Sequence, residues 1–305
     1  MTAMTDINAD YHAFRTSAGA VTLPRDFVRA TGPDVVTFLQ GQLSQDVATL
    51  AADGSTWALL LQPQGKVVAL LRVLRLGDEE YVLETDAGFG AAVVERLNRF
   101  KLRVKCDLDP LGWTCLAVRG PEAAALVAAG GGGTAGVHVV AADWPGLPGA
   151  DLVGEAPVAP GGVRACSMAA YEAVRIEAGI PVMGREIDEK TIPAEVGVVD
   201  RSVSFTKGCY TGQELVARID SRGGNVPRHL RGIIVCDGAS APAGATIEVD
   251  AKAVGALTSV AVSPGRGSTV ALALVRRAVE APAEVILSWD GGTAPARVEA
   301  LPLVH

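Results

Sequence analysis

Lys207-Gly208-Cys209-Tyr210-Thr211-Gly212-Gln213-Glu214 is the run on which the reading of this 305-residue chain turns. Gly208 and Gly212 allow unusual backbone angles on either side of a cysteine. From Gln213 to Ile219 the pattern becomes helical, which puts Cys209 in the loop just ahead of a helix N-terminus. The helix dipole and neighbouring Lys207 both favour a thiolate there, so Cys209 and Lys207 are the candidate reactive pair. Cys106, Cys115, Cys166 and Cys236 are expected to be structural; Cys236, for example, follows Ile234 and Val235.

Upstream, Ser167 caps a predicted helix that reaches Ala178 and is stopped by Gly179, with Pro181 beyond it. Glu177 falls in its last turn, where the dipole opposes a carboxylate by a few tenths of a kcal/mol. Tyr171 and Val174 share a face, with Glu177 along its edge. An aromatic platform with a carboxylate beyond it suits a flat, donor-rich heterocycle; a solvated glutamate beside a core tyrosine accounts for the pattern equally well.

Further out, residues 1–18 are polar and aperiodic and read as a flexible arm. Strands are expected at Val21–Ala30, Trp57–Leu61, Val67–Leu76, Tyr81–Thr85 and Leu102–Cys106, with helices opened by Gly32-Pro33-Asp34 and at Phe89–Arg99. The pattern repeats more loosely as a strand at Trp113–Val118, a helix from Pro121 to Ala129 and a strand at Val137–Ala141. Residues 142–163, rich in proline, glycine and alanine, read as a connection. After about residue 230, short apolar strands alternate with turns, the pattern of a small β-barrel. The division predicted is an arm at 1–18, two α+β units within 19–230 (about 19–50 with 165–230, and about 51–164), and a barrel at 231–305.

Composition removes several classes. The chain is 49% hydrophobic and 20% charged, the profile of a folded body. A net charge of −7 argues against direct DNA binding, although arginines at Arg218, Arg222, Arg228 and Arg231 form a local basic run. Five cysteines without a C-x-x-C pair and four scattered histidines point to neither a disulfide framework nor a metal site. No apolar run approaches the ~20 residues of a membrane span, and no secretion signal is evident, so a cytoplasmic protein is expected. Gly131, Gly133 and Gly136 form a G-x-G-x-x-G, but a helix precedes and a strand follows, the reverse of a dinucleotide fingerprint. Ser204-Phe205-Thr206-Lys207 matches S-x-x-K without its companion elements.

The run 205–214, continued by Val216-Ala217-Arg218 and Arg222-Gly223, resembles the K-G-C-Y-x-G-Q-E element of the YgfZ-type folate-binding proteins, a branch of the glycine-cleavage T-protein (aminomethyltransferase-like) superfamily. Phe38-Leu39-Gln40-Gly41-Gln42 with Asp46-Val47, and Arg175-Ile176-Glu177-Ala178-Gly179-Ile180-Pro181, resemble two further family stretches. The resemblance implies an α+β fold: a three-domain cloverleaf of two ferredoxin-like units and a C-terminal β-barrel around a central channel for tetrahydrofolate or a one-carbon-substituted folate. It implies a role in assembly or repair of iron-sulfur proteins, some of them tRNA-thiolating, with those proteins as partners and the chain itself a monomer. Glu177 would bond the pterin, Tyr171 stack near it, and Cys209 with Lys207 face the channel. Arg72 and Arg75 would meet the folate tail, and Arg175, Glu195, Tyr210 and Gln40 join the candidate folate residues. The aminomethyltransferases carry an Asp-Asp pair where this chain has Ala69 and Leu70, which removes their proton acceptor. A folate-dependent aminomethyltransferase or demethylase is the alternative, and a docking protein acting through the Arg218–Arg231 strip a third.

Overall fold

The computed structural model describes residues 6–130, 135–142 and 144–303. The first half of the chain forms α1 (Ile7–Thr16), β1 (Gly19–Leu23), β2 (Arg25–Thr31), α2 (Val35–Gln42), β3 (Ser55–Leu61), β4 (Val67–Gly77), β5 (Glu80–Asp86), α3 (Gly90–Arg99), β6 (Asp107–Leu111) and β7 (Thr114–Arg119). There follow α4 (Ala123–Ala129), β8 (Val137–Ala141), β9 (Gly149–Gly154), β10 (Arg164–Ala165), α5 (Met168–Ala178), a 3-10 turn (Pro193–Val196), α6 (Val199–Ser202) and α7 (Gln213–Asp220). The last six strands are β11 (Arg228–Val235), β12 (Thr246–Val249), β13 (Lys252–Ser263), β14 (Ser268–Arg276), β15 (Ala283–Trp289) and β16 (Gly292–Glu299). Contacts divide the chain into unit one, Met1–Leu23 with Cys115–Pro181 and Pro227–His305, and unit two, Pro24–Thr114 with Val182–Val226.

In unit two a sheet of order β3-β4-β5-β2-β6 carries α2 and α3 on its core face. Strand periodicity sends Val67, Ala69, Leu71 and Val73 of β4 to their burial sites in turn, and Ala69, Leu71 and Val73 join Val35, Phe38 and Leu39 of α2 and Val93 and Leu97 of α3. Each of the valine, leucine and phenylalanine side chains so buried stabilises the fold by about 1.5–3 kcal/mol. In unit one a sheet of order β10-β1-β7-β9-β8 packs Ala20, Val118 and Leu152 against Ala123 and Val127 of α4. The barrel closes in the order β11-β14-β13-β12-β15-β16 around Ile233, Ile247, Ala271 and Leu287. The α+β class and the terminal barrel expected from the sequence are present. Of the G-x-G-x-x-G match, Gly131 and Gly133 lie outside the described residues.

Five expectations are corrected. From Asp6 onward the arm is a helix: the Asp6 carboxylate caps α1 by accepting from Asn8 N at 3.0 Å and Ala9 N at 3.2 Å, and Phe14 is fully buried. Asp10, also fully buried, accepts from Arg164 Nε and Ser167 N, each at 2.8 Å. Val21–Ala30 is two strands, because Pro24 interrupts the ladder; β1 pairs with β7, and β2 with β5 and β6. The strand expected at Leu102–Cys106 lies instead at Asp107–Leu111, an edge position where Pro110 is tolerated. Within 142–163, β9 pairs along its length with β8; its flanking glycines hid it, and Gly154 is glycine because a Cβ there would lie 2.2 Å from Gly136 O. With these pairings the predicted grouping of 19–50 with 165–230 gives way, since β2 and α2 share one sheet and core with β3, β4 and β5.

Candidate functional site

Two motifs 167 positions apart build one structure in unit two. The loop before α7 is stitched to α2 and the segment after it: Ser204 N donates to Ser44 O at 3.0 Å and Thr211 N to Gly41 O at 3.3 Å. Between them the Lys207 ammonium donates to Gln40 O and Leu43 O, each at 2.6 Å, and to Gln45 O at 3.1 Å. The first two carbonyls belong to the C-terminal end of α2, where a helix leaves its acceptors unpaired and a cation is favoured, and Gln45 lies just beyond it. Lys207 is thus an anchor turned inward. Burial holds it down to about 8, with Asp46 opposing. The Gln40 amide has an equally internal role, donating to Asp46 Oδ1 at 2.9 Å and accepting from Val47 N and Ala48 N.

Gly212 finishes the loop. Its φ of 85° is left-handed, and a Cβ there would stand 2.6 Å from Gln62 O, so only glycine lets the loop rest on the turn between β3 and β4. Tyr210 is buried, with the Lys207 nitrogen 5.3 Å from its ring centroid, and burial pushes its phenol to about 12. Cys209, between these two anchored residues, is exposed, as is neighbouring Phe205. None of the five cysteines is in a disulfide; Cys106 and Cys115 are buried, and burial pushes the half-buried Cys166 thiol to about 11.

Glu177 belongs to unit one and is 1% exposed. Its carboxylate accepts from Tyr11 Oη at 3.0 Å, from the Arg15 guanidinium and from the Ser263 hydroxyl. The mismatch between this carboxylate and the end of α5 is therefore answered from within, by α1 and β13. Burial first, and then the Glu177 charge, push the Tyr11 phenol upward. Tyr171 is buried between Phe14, at 6.3 Å between ring centroids, and Trp144, at 5.3 Å. Arg175 clamps α5 to the barrel, with Nη2 2.7 Å from Ser259 Oγ, Nη1 donating to Ile180 O, and both Glu172 oxygens on its other donors.

The remaining predicted residues are also engaged. Arg72 is buried with Glu84. Arg75 donates to Leu50 O at 2.6 Å and pairs with Asp78. Glu195 caps the 3-10 turn by accepting from Ile192 N at 3.1 Å. By unit, Cys209, Lys207, Tyr210, Gln40, Arg72, Arg75 and Glu195 fall in unit two, and Tyr171, Arg175 and Glu177 in unit one. A cavity of about 220 Å³ in unit two, lined by Ile192, Pro193, Val199, Val216, Asp200 and Asp220 among others, includes none of them. Tyr11, Arg15 and Ser263 escaped the sequence reading. Asp6 as a cap with Tyr11, Phe14 and Arg15 at helical spacing was the signal for the first two; Ser263 carried none.

Tetrahydrofolate, the ligand the resemblance implies, meets a mixed fit. A buried carboxylate beside aromatic rings is the right chemistry for a pterin, yet in this conformation Tyr11, Arg15 and Ser263 already hold it. A ligand reaching Glu177 has to exchange its own donors for those of α1. Among the described residues no three His, Cys, Asp or Glu gather as a metal site, and no helix is long and apolar enough to cross a membrane.

The chain matches the GCVT N-terminal domain over residues 2–133 and the Glycine cleavage T-protein C-terminal barrel domain over residues 228–305. It is 28% identical over 331 residues to an aminomethyltransferase of Streptomyces avermitilis, spanning 96% of this chain and 88% of that protein. It is 31% identical over 223 residues to the tRNA-modifying protein YgfZ of Edwardsiella ictaluri, spanning 65% of each. In fold it is similar to the glycine cleavage system aminomethyltransferase T from Bartonella henselae, with a TM-score of 0.84 and 22% identity over 98% of this chain and 89% of that one.

Proposed function

We propose that this chain, which carries both the N-terminal and the barrel domain of the glycine-cleavage T-protein family, is a folate-binding accessory protein of the YgfZ kind whose reactive group is Cys209. The observation that carries the reading is the loop at 204–211. Its polar side chain with the greatest reach, Lys207, is tied to three carbonyls, while the thiol two residues on is left exposed. A rigid mount for an open thiol fits a nucleophile or sulfur-handling group better than a packing residue. Service to iron-sulfur proteins, including tRNA-modifying ones, is the role we assign it; similarity to a protein named for tRNA modification supports that direction.

The second reading, aminomethyl transfer, is favoured by the aminomethyltransferase relatives that span most of the chain. Against it, Ala69 is fully buried and Leu70 is 4% exposed in β4, so neither position supplies a carboxylate to a reacting amine. Calorimetric titration with tetrahydrofolate, combined with alkylation of Cys209 with and without folate, tests the first reading; absence of both heat and protection overturns it. Release of methylenetetrahydrofolate from an amine donor would favour the second. Failure of Cys209→Ser to complement a deletion strain is expected, and normal complementation would instead favour a docking role.

A further inference from the structure

Unit two contains a chain of charges that ends on Arg201. Asp86 Oδ1 pairs with Arg25 Nη1 at 2.5 Å, and Arg25 Nε lies 3.6 Å from Glu84 Oε1. Glu84 Oε2 in turn holds Arg72 Nη2 at 2.5 Å and Nε at 2.7 Å. The Arg72 guanidinium carbon sits 5.7 Å from the centroid of Trp57, and the Arg201 guanidinium carbon 5.3 Å from the same ring. Arg201 is the member of this group that makes no ion pair among the described residues. Its Nε is buried without a hydrogen-bond partner, and burial lowers its affinity for the proton.

Stacking on an aromatic face offsets part of the desolvation of a cation but supplies no acceptor for its N–H groups. A buried donor without an acceptor is the kind of group that native structures rarely leave. Arg201 and Trp57 are each only half-buried, so the stacked pair keeps an open side. Asp200, next in the chain, is exposed and lines the neighbouring cavity without pairing to it. A guanidinium placed over a ring, with no ion pair among the described residues, can take a phosphate or carboxylate group by charge-assisted hydrogen bonds.

We infer that Arg201, held over Trp57 with a buried Nε that has no hydrogen-bond partner, is a binding site for a small oxyanion, a phosphate or a carboxylate. The site stands independently of the folate reading, and its test uses no folate. In 15N-labelled full-length protein, the Arg201 Nε–H signal is identified by its loss in Arg201→Lys. Sodium phosphate, sodium glutarate and sodium chloride are then titrated at matched ionic strength. The expected result is a saturable shift of that signal with phosphate or glutarate and none with chloride, the stronger of the two anions naming the ligand class. Arg201→Gln is expected to weaken the binding of that anion at least about tenfold, since it removes the charged donor. A signal unmoved by both oxyanions, or moved equally by chloride, overturns the site. Should Arg201→Gln not fold, the wild-type titration decides alone.

Discussion

The Glu177 pocket of unit one and the Cys209 loop of unit two use their polar residues in opposite ways. Around Glu177, every group that chemistry could use is already committed: the carboxylate is buried and accepts from Tyr11, Arg15 and Ser263. Around Cys209, the neighbours are committed so that the thiol is not: Lys207, Thr211 and Ser204 tie the loop to α2, and Cys209 stays exposed. A saturated site is a stability element until something displaces its partners. An open group on a saturated scaffold is available at once.

The comparison can be broken most directly at Glu177. Glu177→Ala leaves the Arg15 guanidinium and two hydroxyls without their acceptor, and is expected to cost about 3–5 kcal/mol in urea unfolding. A loss under 1 kcal/mol would mean the pocket is not the stability element described. Lys207→Met strands three carbonyls and is expected to cost about 3 kcal/mol. This difference should depend on pH, because Lys207 titrates at about 8 in the fold against 10.5 for an ordinary lysine. Between those values the unfolded chain holds a proton that the folded chain has released, so the wild-type advantage over Lys207→Met rises with pH across the window and is flat below it. A denaturation series from pH 7 to pH 10.5 reads the slope; an advantage that falls with pH would contradict the burial of this ammonium.

Gly212→Ala sharpens the account of the scaffold. A left-handed φ of 85° and a backbone oxygen 2.6 Å from the added Cβ are expected to cost about 1–3 kcal/mol and to change the alkylation rate of Cys209, as the mount shifts. Cys209→Ser is the smallest effect: stability within about 0.5 kcal/mol of wild type by thermal melting, since an exposed side chain with no partner among the described residues supports little. A loss above 1 kcal/mol would make Cys209 a packing residue and remove the contrast between the regions.

Much of the framework was legible in the chain itself. Ser167 and Gly179 bracket α5 by capping chemistry that acts within a few residues, and the period of β4 places its core face. The motif at 207–214 announces an exposed cysteine before a helix. Where the reading failed, the cause lay at a distance. Asp10 makes α1 more than an arm only because Arg164 and the Ser167 amide arrive from more than 150 positions away. β9 is a strand because β8 supplies its partner ladder. Lys207 read as an activator of the neighbouring thiol, since local sequence shows the charge and not the three carbonyls that hold it.

By itself, then, the sequence determined the α+β class, the terminal barrel, the boundaries of α5 and the exposure expected of Cys209, because caps, periodicity and turn residues act over a few positions. Only the tertiary structure decided which polar groups remain available. It closed Glu177 with Tyr11, Arg15 and Ser263, turned Lys207 inward and left Arg201 without an ion pair among the described residues, because a side chain's partners are set by which segments the fold brings together and not by its neighbours along the chain.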